Sequence, residues 1–467
     1  MAKPPFRLAS AWAALGPRFL PFADVATPDL PLSRLLRLSL FQVSVGMALV
    51  LLVGTLNRVM IVELGVPASL VAVMVALPVL FAPMRALIGF RSDRFQSELG
   101  WRRVPFIWRG SLLQFGGFAI MPFALLVLAG AGQSASAPVW VGYLAAATAF
   151  LLVGAGLHTV QTVGLSLATD LVADESKPKM VGLMYVTLLL GMLVSATAFG
   201  YALEEYSHGR LIQTIQAAAV ITLILNAVAI WKQEPRIRRS AIMPPAAEPQ
   251  AGPFARALGT LTRDTFGLRW LWVVALGTLA LTMQDVLLEP YGGEVLGLPV
   301  AQTTRLTGLL ALGGVIGFWF SSLALSRGAD APRMSAWGLV IGIPGMAAIM
   351  MASSAGETLV FLLGVSLIGV SVGLFGHGSL TTCLRMAPKD ASGLALGVWG
   401  AVQATAAGIG MACGGVLRDV AALYLEPAQA YSVVYALEMM LLAAALMLLF
   451  PLLRSNELSR KVVLRWK

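Results

Sequence analysis

The chain has 467 residues, of which 58% are hydrophobic and only 12% are charged. A soluble globular protein carries about 25% charged residues, so this composition excludes a soluble enzyme, a disordered regulator and a coiled coil. The apolar residues fall into blocks of roughly 20, the length that a helix needs to cross a bilayer. The formal net charge of +10 therefore has to be interpreted from its distribution among the loops.

The apolar blocks predict an all-α integral membrane protein with twelve transmembrane helices. The predicted spans are residues 39–62, 69–90, 106–129, 139–168, 180–203, 211–231, 269–290, 303–326, 333–353, 358–384, 391–417 and 429–453. Residues 1–38 form a predicted N-terminal segment, which is either an irregular tail or a helix on the membrane surface. The spans divide into two six-helix halves, residues 39–231 and 269–453.

The positively charged residues predict the orientation. Most of the 33 Lys and Arg residues fall in the N-terminal segment, the loops after even-numbered spans, the Pro-rich linker 232–268 and the basic tail 454–467. On the other side the sequence places only Arg58, Arg210, Arg305 and Arg418. Because cytoplasmic loops accumulate Lys and Arg, both termini and the linker are predicted to be cytoplasmic.

The two halves carry similar short segments. Glu63–Ala68 follows the first span, and the comparable Val295–Ala301 follows the seventh. Gly182 and Leu183 likewise correspond to Gly393 and Leu394. Matching loop chemistry in the same orientation indicates parallel repeats, so the two halves are predicted to be pseudo-symmetric, as in the major facilitator superfamily.

The loop after the second span resembles the loop signature of that superfamily. Gly89–Arg94 supplies the glycine and the Asp-Arg pair, and Gly100–Arg103 supplies a second glycine with two arginines. In the superfamily, the carboxylate and the arginines are pictured as a latch between helix ends on the cytoplasmic face. The residues expected to form this latch are Gly89, Asp93, Arg94, Arg102 and Arg103. An insertion, Gln96–Leu99, departs from the signature.

Three further segments resemble hallmark sequences of the PucC/LhaA family, the bacteriochlorophyll-delivery branch of the superfamily. They are Gly100–Gly110, Ala168–Val172 and Gln284–Gly297. The resemblance extends over nearly the whole chain. The overall pattern is most similar to the LhaA branch, which is tied to the core antenna LH1, whereas the PucC branch serves the peripheral antenna LH2.

The resemblance implies an assembly factor for light-harvesting complexes in the intracytoplasmic (inner) photosynthetic membrane of purple bacteria. Such a protein would deliver bacteriochlorophyll to the antenna α and β polypeptides, or chaperone those polypeptides. The implied ligands are bacteriochlorophyll and carotenoid. The implied partners are the antenna polypeptides, the reaction centre–LH1 assembly, pigment-synthesis enzymes and the lipid bilayer, but no nucleic acid. The sequence shows no phosphate-binding loop, zinc-type cluster or hydrolase nucleophile turn, so no enzymatic activity is expected.

Two histidines within predicted spans are candidate ligands for the magnesium of a pigment. His158 lies in the fourth span and His377 in the tenth, which are counterparts that line the central cavity in the superfamily. A neutral imidazole nitrogen can serve as an axial ligand, and Gly376 and Gly378 would leave room for a flat macrocycle. Alternatively, the glycines serve helix packing and the imidazoles donate to backbone carbonyls, or the histidines relay protons.

Polar residues cluster where the first and seventh spans are expected to meet. The residues of this helix-end cluster are Asn57, Arg58, Gln284, Asp285 and Glu289. Arg58 is expected to pair with Asp285 or Glu289 and hold the halves together, although a coupling-ion or pigment site is an alternative. Pro290 and the glycine pair that follows it are expected to end the helix just after Glu289.

Three hypotheses follow. The first is a pigment-handling assembly factor, and the second is a proton-coupled transporter of a small apolar or amphipathic substrate. The third is a polypeptide chaperone without a pigment site. A transporter usually needs a buried carboxylate near its cavity. The sequence instead places its carboxylates near helix ends, apart from Glu438 in the outer twelfth span, which is expected to face another helix.

Overall fold

The computed structural model describes residues 25, 27, 30–80, 88–89, 91–92, 95, 97–131, 136–173, 176–235, 265–386 and 392–454. Most of the predicted N-terminal segment, most of the linker and residues 455–467 of the basic tail lie outside these residues, as do Asp93 and Arg94 of the expected latch. The regular elements in the described part of the chain are all helices.

Twelve helices follow one another in the described part of the chain. They are α1 (Leu32–Glu63), α2 (Ala68–Leu80), α3 (Val104–Leu128), α4 (Val139–Asp170), α5 (Lys177–Ala202), α6 (His208–Ile230), α7 (Thr265–Met283, continued by Gln284–Val286 and Leu288–Glu294), α8 (Val300–Ser326), α9 (Ala331–Ala355), α10 (Thr358–Met386), α11 (Ser392–Ala422) and α12 (Pro427–Arg454). Eleven of them are long and apolar enough to cross a membrane, and α2 is shorter within the described residues. The predicted all-α, multi-pass membrane fold is confirmed.

The helices form two halves with corresponding packing. In the first half α3 packs on α4 and α6, and α1 packs on α5. In the second half α9 packs on α10 and α12, and α7 packs on α11. Each half has its own hydrophobic core. The main contacts between the halves, α2 with α11 and α5 with α8, exchange under the same symmetry, so the predicted pseudo-symmetry is present.

Glycines allow close approach between helices of the second half. A Cβ atom added to Gly313 of α8 would lie 2.6 Å from the carbonyl oxygen of Ser366 on α10. One added to Gly369 of α10 would lie 2.3 Å from the carbonyl oxygen of Leu310. Small residues at such positions let two backbones touch within a membrane, and here that contact is internal to the half.

The first helix begins earlier than its apolar block suggested. Leu32, Leu35 and Leu38 are spaced so that they share one helix face, and all three are buried. The helix therefore starts at Leu32, within the segment expected to precede the first span. Farther along, α1 widens into two π-helical stretches, Val50–Leu56 and Val59–Glu63.

The interruption of α7 lies at a different place from the one expected. The helix tightens into a 3₁₀ turn at Gln284–Val286 and resumes as Leu288–Glu294. Pro290 falls in the first turn of that short helix, where a missing N–H costs little. The expected break after Glu289 was therefore wrong, and the break precedes Glu289.

Candidate functional site

The two ends of the helix bundle carry different polar networks. We call the end that carries Arg102, Arg103 and Glu234 the basic face. The end that carries Glu63 and Glu294 is called the opposite face. Each candidate residue that the structure describes can be assigned to one of these ends or to the membrane interior between them.

On the opposite face, α1 is hydrogen-bonded across to the second half. The side-chain amide of Asn57 donates to the carbonyl oxygen of Val286 at 2.9 Å. That carbonyl belongs to the 3₁₀ turn of α7, where the regular helical hydrogen-bond pattern is interrupted. The hydroxyl groups of Thr55 and Thr304 lie 3.3 Å apart, so α1 is connected to both α7 and α8.

Arg58 takes part in this junction with partners that the sequence did not suggest. It forms an ion pair with Glu63 and donates to the carbonyl oxygen of Leu298 at 3.2 Å. The expected ion pair with Asp285 or Glu289 is not formed. A π-helix aligns residues five apart, which brings Glu63 over Arg58. Tyr206 in the α5–α6 connection lies beside this pair, and burial together with the Glu63 carboxylate raises its pKa to about 12.

A second junction on the opposite face joins α2 to α11. The carboxylate of Asp419 accepts from the backbone N–H of Ser69 at 2.7 Å, at the start of α2, where an anion is favoured by the helix dipole. Gly415 fits against the same turn, because a Cβ there would lie 2.7 Å from the carbonyl oxygen of Ala68. The halves are therefore packed together at this end of the bundle.

One carboxyl group of α7 lies within electrostatic range of two others, one on α7 and one on α12. Asp285 interacts with both Glu289 and Glu438. Glu289 accepts from the hydroxyl of Thr307 at 2.7 Å, and Asp285 accepts from Gln284 at 2.9 Å. Glu438 is fully buried, as expected for a group facing another helix. We call Asp285, Glu289 and Glu438 the carboxyl cluster.

The two candidate histidines form separate environments. His377 on α10 stacks on Phe318 of α8, with ring centroids 4.3 Å apart, and its buried Nδ1 has no hydrogen-bond partner among the described residues. His158 on α4 is half-buried. Because α4 packs on α1, α2, α3 and α5 whereas α10 packs on α7, α8, α9 and α11, the structure does not bring these histidines together.

The glycines beside His377 differ in their surroundings. A Cβ on Gly378 would lie 2.6 Å from the backbone nitrogen of Ser335 on α9, whereas a Cβ on Gly376 would have no neighbour within 4 Å. Gly378 therefore serves helix packing, and of these two glycines only Gly376 has open space beside it. Among the described residues, no group of three or more His, Cys, Asp or Glu side chains could hold a metal ion, so each histidine would act as a single ligand.

On the basic face, the predicted latch connects helix ends within the first half. Arg102 and Arg103 both form ion pairs with Asp170 at the end of α4, at 2.8 and 3.1 Å. Arg103 also donates to the hydroxyl of Ser92 at 2.7 Å, which in turn donates to the carbonyl oxygen of Gly89 at 2.7 Å. The carboxylate partner of the arginines here is thus Asp170, which lies in the family-like segment Ala168–Val172.

Glu234 is a site residue that the sequence reasoning missed. Its carboxylate accepts from the backbone N–H groups of Arg102, Arg103 and Val104 at 2.9 to 3.0 Å, and so caps the start of α3 from the end of α6. The side chain and carbonyl of the neighbouring Gln233 accept from Arg34 at 3.0 and 2.9 Å. The sequence signal available for this residue was its position directly before Pro235, just after the predicted sixth span.

A pocket of about 990 Å³ opens beside these contacts on the basic face. Its walls come from the α2–α3 loop, the start of α3 and the end of α6. The lining residues are Phe95, Ser97, Leu99, Trp101, Val104, Pro105, Trp108, Arg109, Ala227, Ile230, Trp231, Lys232, Gln233 and Glu234. Neither candidate histidine contributes to this pocket.

The fold places the protein in a known class. The crystal structure of a D-xylose–proton symporter superposes on it with a TM-score of 0.65 at 16% sequence identity, covering 89% of this chain and 96% of the other. With its two pseudo-symmetric six-helix halves, the chain has the fold of the major facilitator superfamily. This likeness concerns the fold alone.

Sequence comparison identifies the family within that class. The family model described as PUCC protein matches residues 55–457. A protein PucC from Rhodovulum sulfidophilum is 59% identical over 407 residues, which is 87% of this chain and 89% of that protein. A protein PucC from Cereibacter sphaeroides is 53% identical over 461 residues, which is 98% of this chain and 100% of that protein. The chain belongs to the PucC family.

Proposed function

We propose that the protein is an assembly factor for the light-harvesting antenna of purple photosynthetic bacteria. It would bind bacteriochlorophyll, with carotenoid as a further ligand, and bring pigment together with the antenna α and β polypeptides. In this role it binds and transfers ligands without making or breaking covalent bonds. The observation that carries the proposal is family membership, supported by identities above 50% to two PucC proteins over nearly the whole of each chain.

The choice of antenna follows from the branch of the family. The sequence pattern favoured the LhaA branch and therefore LH1 and the reaction centre–LH1 assembly. The two relatives compared above both carry the name PucC, which favours the branch that serves LH2. We therefore propose antenna assembly in general, with the co-purifying polypeptides to decide between LH1 and LH2.

His377 is the better supported of the two pigment-ligand candidates. A single neutral imidazole nitrogen suffices as the axial ligand of a chlorin magnesium. The Nδ1 of His377 is buried, so a pigment magnesium would have to bind through Nε2, and a Cβ on the neighbouring Gly376 would meet no atom within 4 Å. The Phe318 ring covers one face of the imidazole, so a pigment would approach along the ring edge.

We further propose that the protein lies in the inner, intracytoplasmic photosynthetic membrane with both termini in the cytoplasm. Cationic side chains are frequent among the described residues of the basic face, for example Arg102, Arg103, Arg109 and Lys232. The opposite face has fewer, and three of them, Arg58, Arg305 and Arg418, form ion pairs with acidic residues. This asymmetry agrees with the positive-inside rule. The basic face would then be the side on which pigment-synthesis enzymes and nascent polypeptides arrive.

A proton-coupled transporter is the second candidate. The fold likeness to a proton symporter and the carboxyl cluster of Asp285, Glu289 and Glu438 favour it. Buried carboxyl groups in a membrane are often proton sites. The cluster lies beside the junction of the two halves, because Thr307, which donates to Glu289, also lies against Gly54 of α1. Family membership is the observation that favours the assembly factor over the transporter.

The test is purification of the full chain in mild detergent from a pigment-making host, followed by an absorption spectrum and subunit analysis. The proposal expects near-infrared bacteriochlorophyll bands at a fixed ratio, together with antenna polypeptides. A matched pair of variants, His377→Leu and His208→Leu, separates ligation from nonspecific effects because His208 is exposed at the start of α6.

The outcomes separate the hypotheses. Loss of pigment in His377→Leu with retention in His208→Leu supports ligation by His377. Equal pigment in both variants excludes His377 as the ligand. A colourless protein that still retains antenna polypeptides leaves a polypeptide chaperone. A colourless protein without these partners contradicts the proposal and favours the transporter.

A further inference from the structure

The pocket on the basic face has the position of a site at the membrane surface. It lies at the start of α3 and the end of α6, and both Trp108 and Trp231 in its wall are strongly exposed, at 40% and 64%. Tryptophan at the ends of membrane-spanning helices marks the interface between hydrocarbon and head groups. The pocket therefore opens where the head groups and the first carbons of the lipid chains lie.

The pocket wall is held by defined contacts. Glu234 accepts three backbone N–H groups at the start of α3, and the adjacent Gln233 is 1% exposed and bonded to Arg34. The Phe95 ring packs edge-to-face on Phe106 with centroids 5.3 Å apart. These contacts hold Phe95 against α3 and the end of α6 against the start of α3, so the described part of the cavity wall is supported.

The charges around this pocket favour an anion. Arg109 lies over the ring of Phe95 at 5.8 Å, and both it and Lys232 line the cavity. Among the described lining residues the one carboxylate is that of Glu234, and it is directed at the backbone donors of α3. Two cationic side chains therefore face the cavity beside a carboxylate that is already engaged.

The backbone at Lys232 is unusual as well. Its φ angle is 52°, and it is the only described residue other than glycine with a positive φ. A side chain in this region is less favourable than in the right-handed helical region. The left-handed residue follows α6 and turns the chain so that Gln233 meets Arg34 of α1 and Glu234 meets the start of α3.

The insertion that departs from the superfamily loop signature contributes to this cavity. Ser97 and Leu99 both belong to the inserted residues and both line the pocket. The hydroxyl of Ser97 accepts from the backbone N–H of Trp101 at 2.9 Å, which closes the loop on itself. The altered loop therefore builds one wall of the cavity.

We propose that this pocket binds one anionic phospholipid from the leaflet at the basic face. The phosphate would lie between Arg109 and Lys232, and an acyl chain would follow the apolar wall of Val104, Ala227 and Ile230. Basic pockets between helices on the cytoplasmic side are suited to anionic head groups. A zwitterionic lipid has no net charge and is therefore attracted less strongly to these two cations. A free phosphate lacks the acyl chain that the apolar wall accommodates.

The experiment is native mass spectrometry of the purified full chain with added phosphatidylglycerol or phosphatidylcholine of identical acyl chains. We expect a preference for phosphatidylglycerol of roughly tenfold, because each Lys or Arg near an anionic lipid contributes to binding. The double variant Arg109→Gln/Lys232→Gln should lose this preference. The control Arg333→Gln, an exposed cation at the start of α9 on the same face, should keep it.

Equal binding of the two lipids to the wild-type chain would overturn the proposal, as would an unchanged preference in the double variant. In a further measurement, inorganic phosphate is added at the same concentration as a competitor of phosphatidylglycerol. If phosphate displaces phosphatidylglycerol completely, the site recognises a phosphate ion and not a lipid, and the proposal fails. The double variant changes exposed side chains only, so its folding can be confirmed by an unchanged thermal unfolding midpoint.

Discussion

The opposite face and the basic face are built on different principles. On the opposite face, polar contacts connect one half to the other, as in Asn57 with Val286 and Ser69 with Asp419. On the basic face, the described polar contacts connect helix ends of the first half to each other, as in Arg103 with Asp170 and Glu234 with the start of α3. The first network holds the halves together, whereas the second shapes the pocket.

This difference has a mechanical consequence. A motion that separates the halves on the basic face would leave the Arg103–Asp170 and Glu234 contacts intact, because both partners move together. A motion that separates them on the opposite face would break the contacts of Asn57 and Ser69. The structure is therefore closed at the opposite face.

The largest expected effect comes from the junction of α2 and α11. Gly415→Leu would force side-chain atoms into Ala72 and the backbone of Ala68, across the two halves. Overpacking of this kind costs about 3 kcal/mol, so we expect a clearly lower thermal unfolding midpoint in detergent. Gly116→Leu is the control, since a Cβ there meets nothing within 4 Å. Equal midpoints for the two variants would contradict the close junction.

The next effect tests the latch on the basic face. Arg103 is 5% exposed and serves both Asp170 and Ser92. Arg103→Gln removes a buried charge partner but leaves Asp170 paired with Arg102, so we expect a loss of roughly 1–3 kcal/mol in the free energy of unfolding. Chemical denaturation in detergent measures it, with Arg333→Gln as the control. A loss no larger than the control's would show that the latch is not structural.

A smaller effect is expected for the cap on α3. Glu234→Gln keeps one acceptor oxygen but loses the charge that favours the helix start, so we expect a loss of about 1 kcal/mol. The same denaturation experiment measures it, and the pocket gives a second observable. If the cap supports the pocket wall, Glu234→Gln should also weaken phosphatidylglycerol binding. Unchanged stability and unchanged lipid binding together would show that Glu234 neither stabilises the start of α3 nor supports the pocket wall.

The smallest effect is expected for the exposed bridge between the halves. Arg305 and Glu204 lie 2.6 Å apart, but their side chains are 42% and 52% exposed. Such surface ion pairs contribute about 0–1 kcal/mol. Arg305→Gln should therefore leave the unfolding midpoint almost unchanged, especially at high salt. A loss as large as that of Gly415→Leu would show that charge, and not helix packing, holds the opposite face together.

Much of the fold could be predicted because the bilayer imposes it. Apolar blocks of fixed length predict the spans, and the likeness of Glu63–Ala68 to Val295–Ala301 predicts the two halves. The contact between α1 and α7 was also expected, but the partner of Arg58 was not. The π-helical stretch that brings Glu63 over Arg58 leaves no recognisable pattern in the sequence.

The basic face was less predictable, since its contacts join distant parts of the chain. Glu234 caps residues about 130 positions earlier, and the pocket combines the α2–α3 loop with the end of α6. Trp101, Trp108 and Trp231 are typical of a membrane boundary by residue type, but only the tertiary packing brings them around one cavity. The inserted residues 96–99 were the one signal that this loop differs from its superfamily.

The most direct test of the central claim is the near-infrared absorption spectrum of intact membranes from a photosynthetic host that naturally carries this protein. The spectrum would be compared among the wild type, a deletion strain and the deletion strain supplied with the full chain. The proposal predicts that LH1 or LH2 bands fall on deletion and return with the chain, while free bacteriochlorophyll is still made. Antenna bands of unchanged intensity in the deletion strain would contradict it.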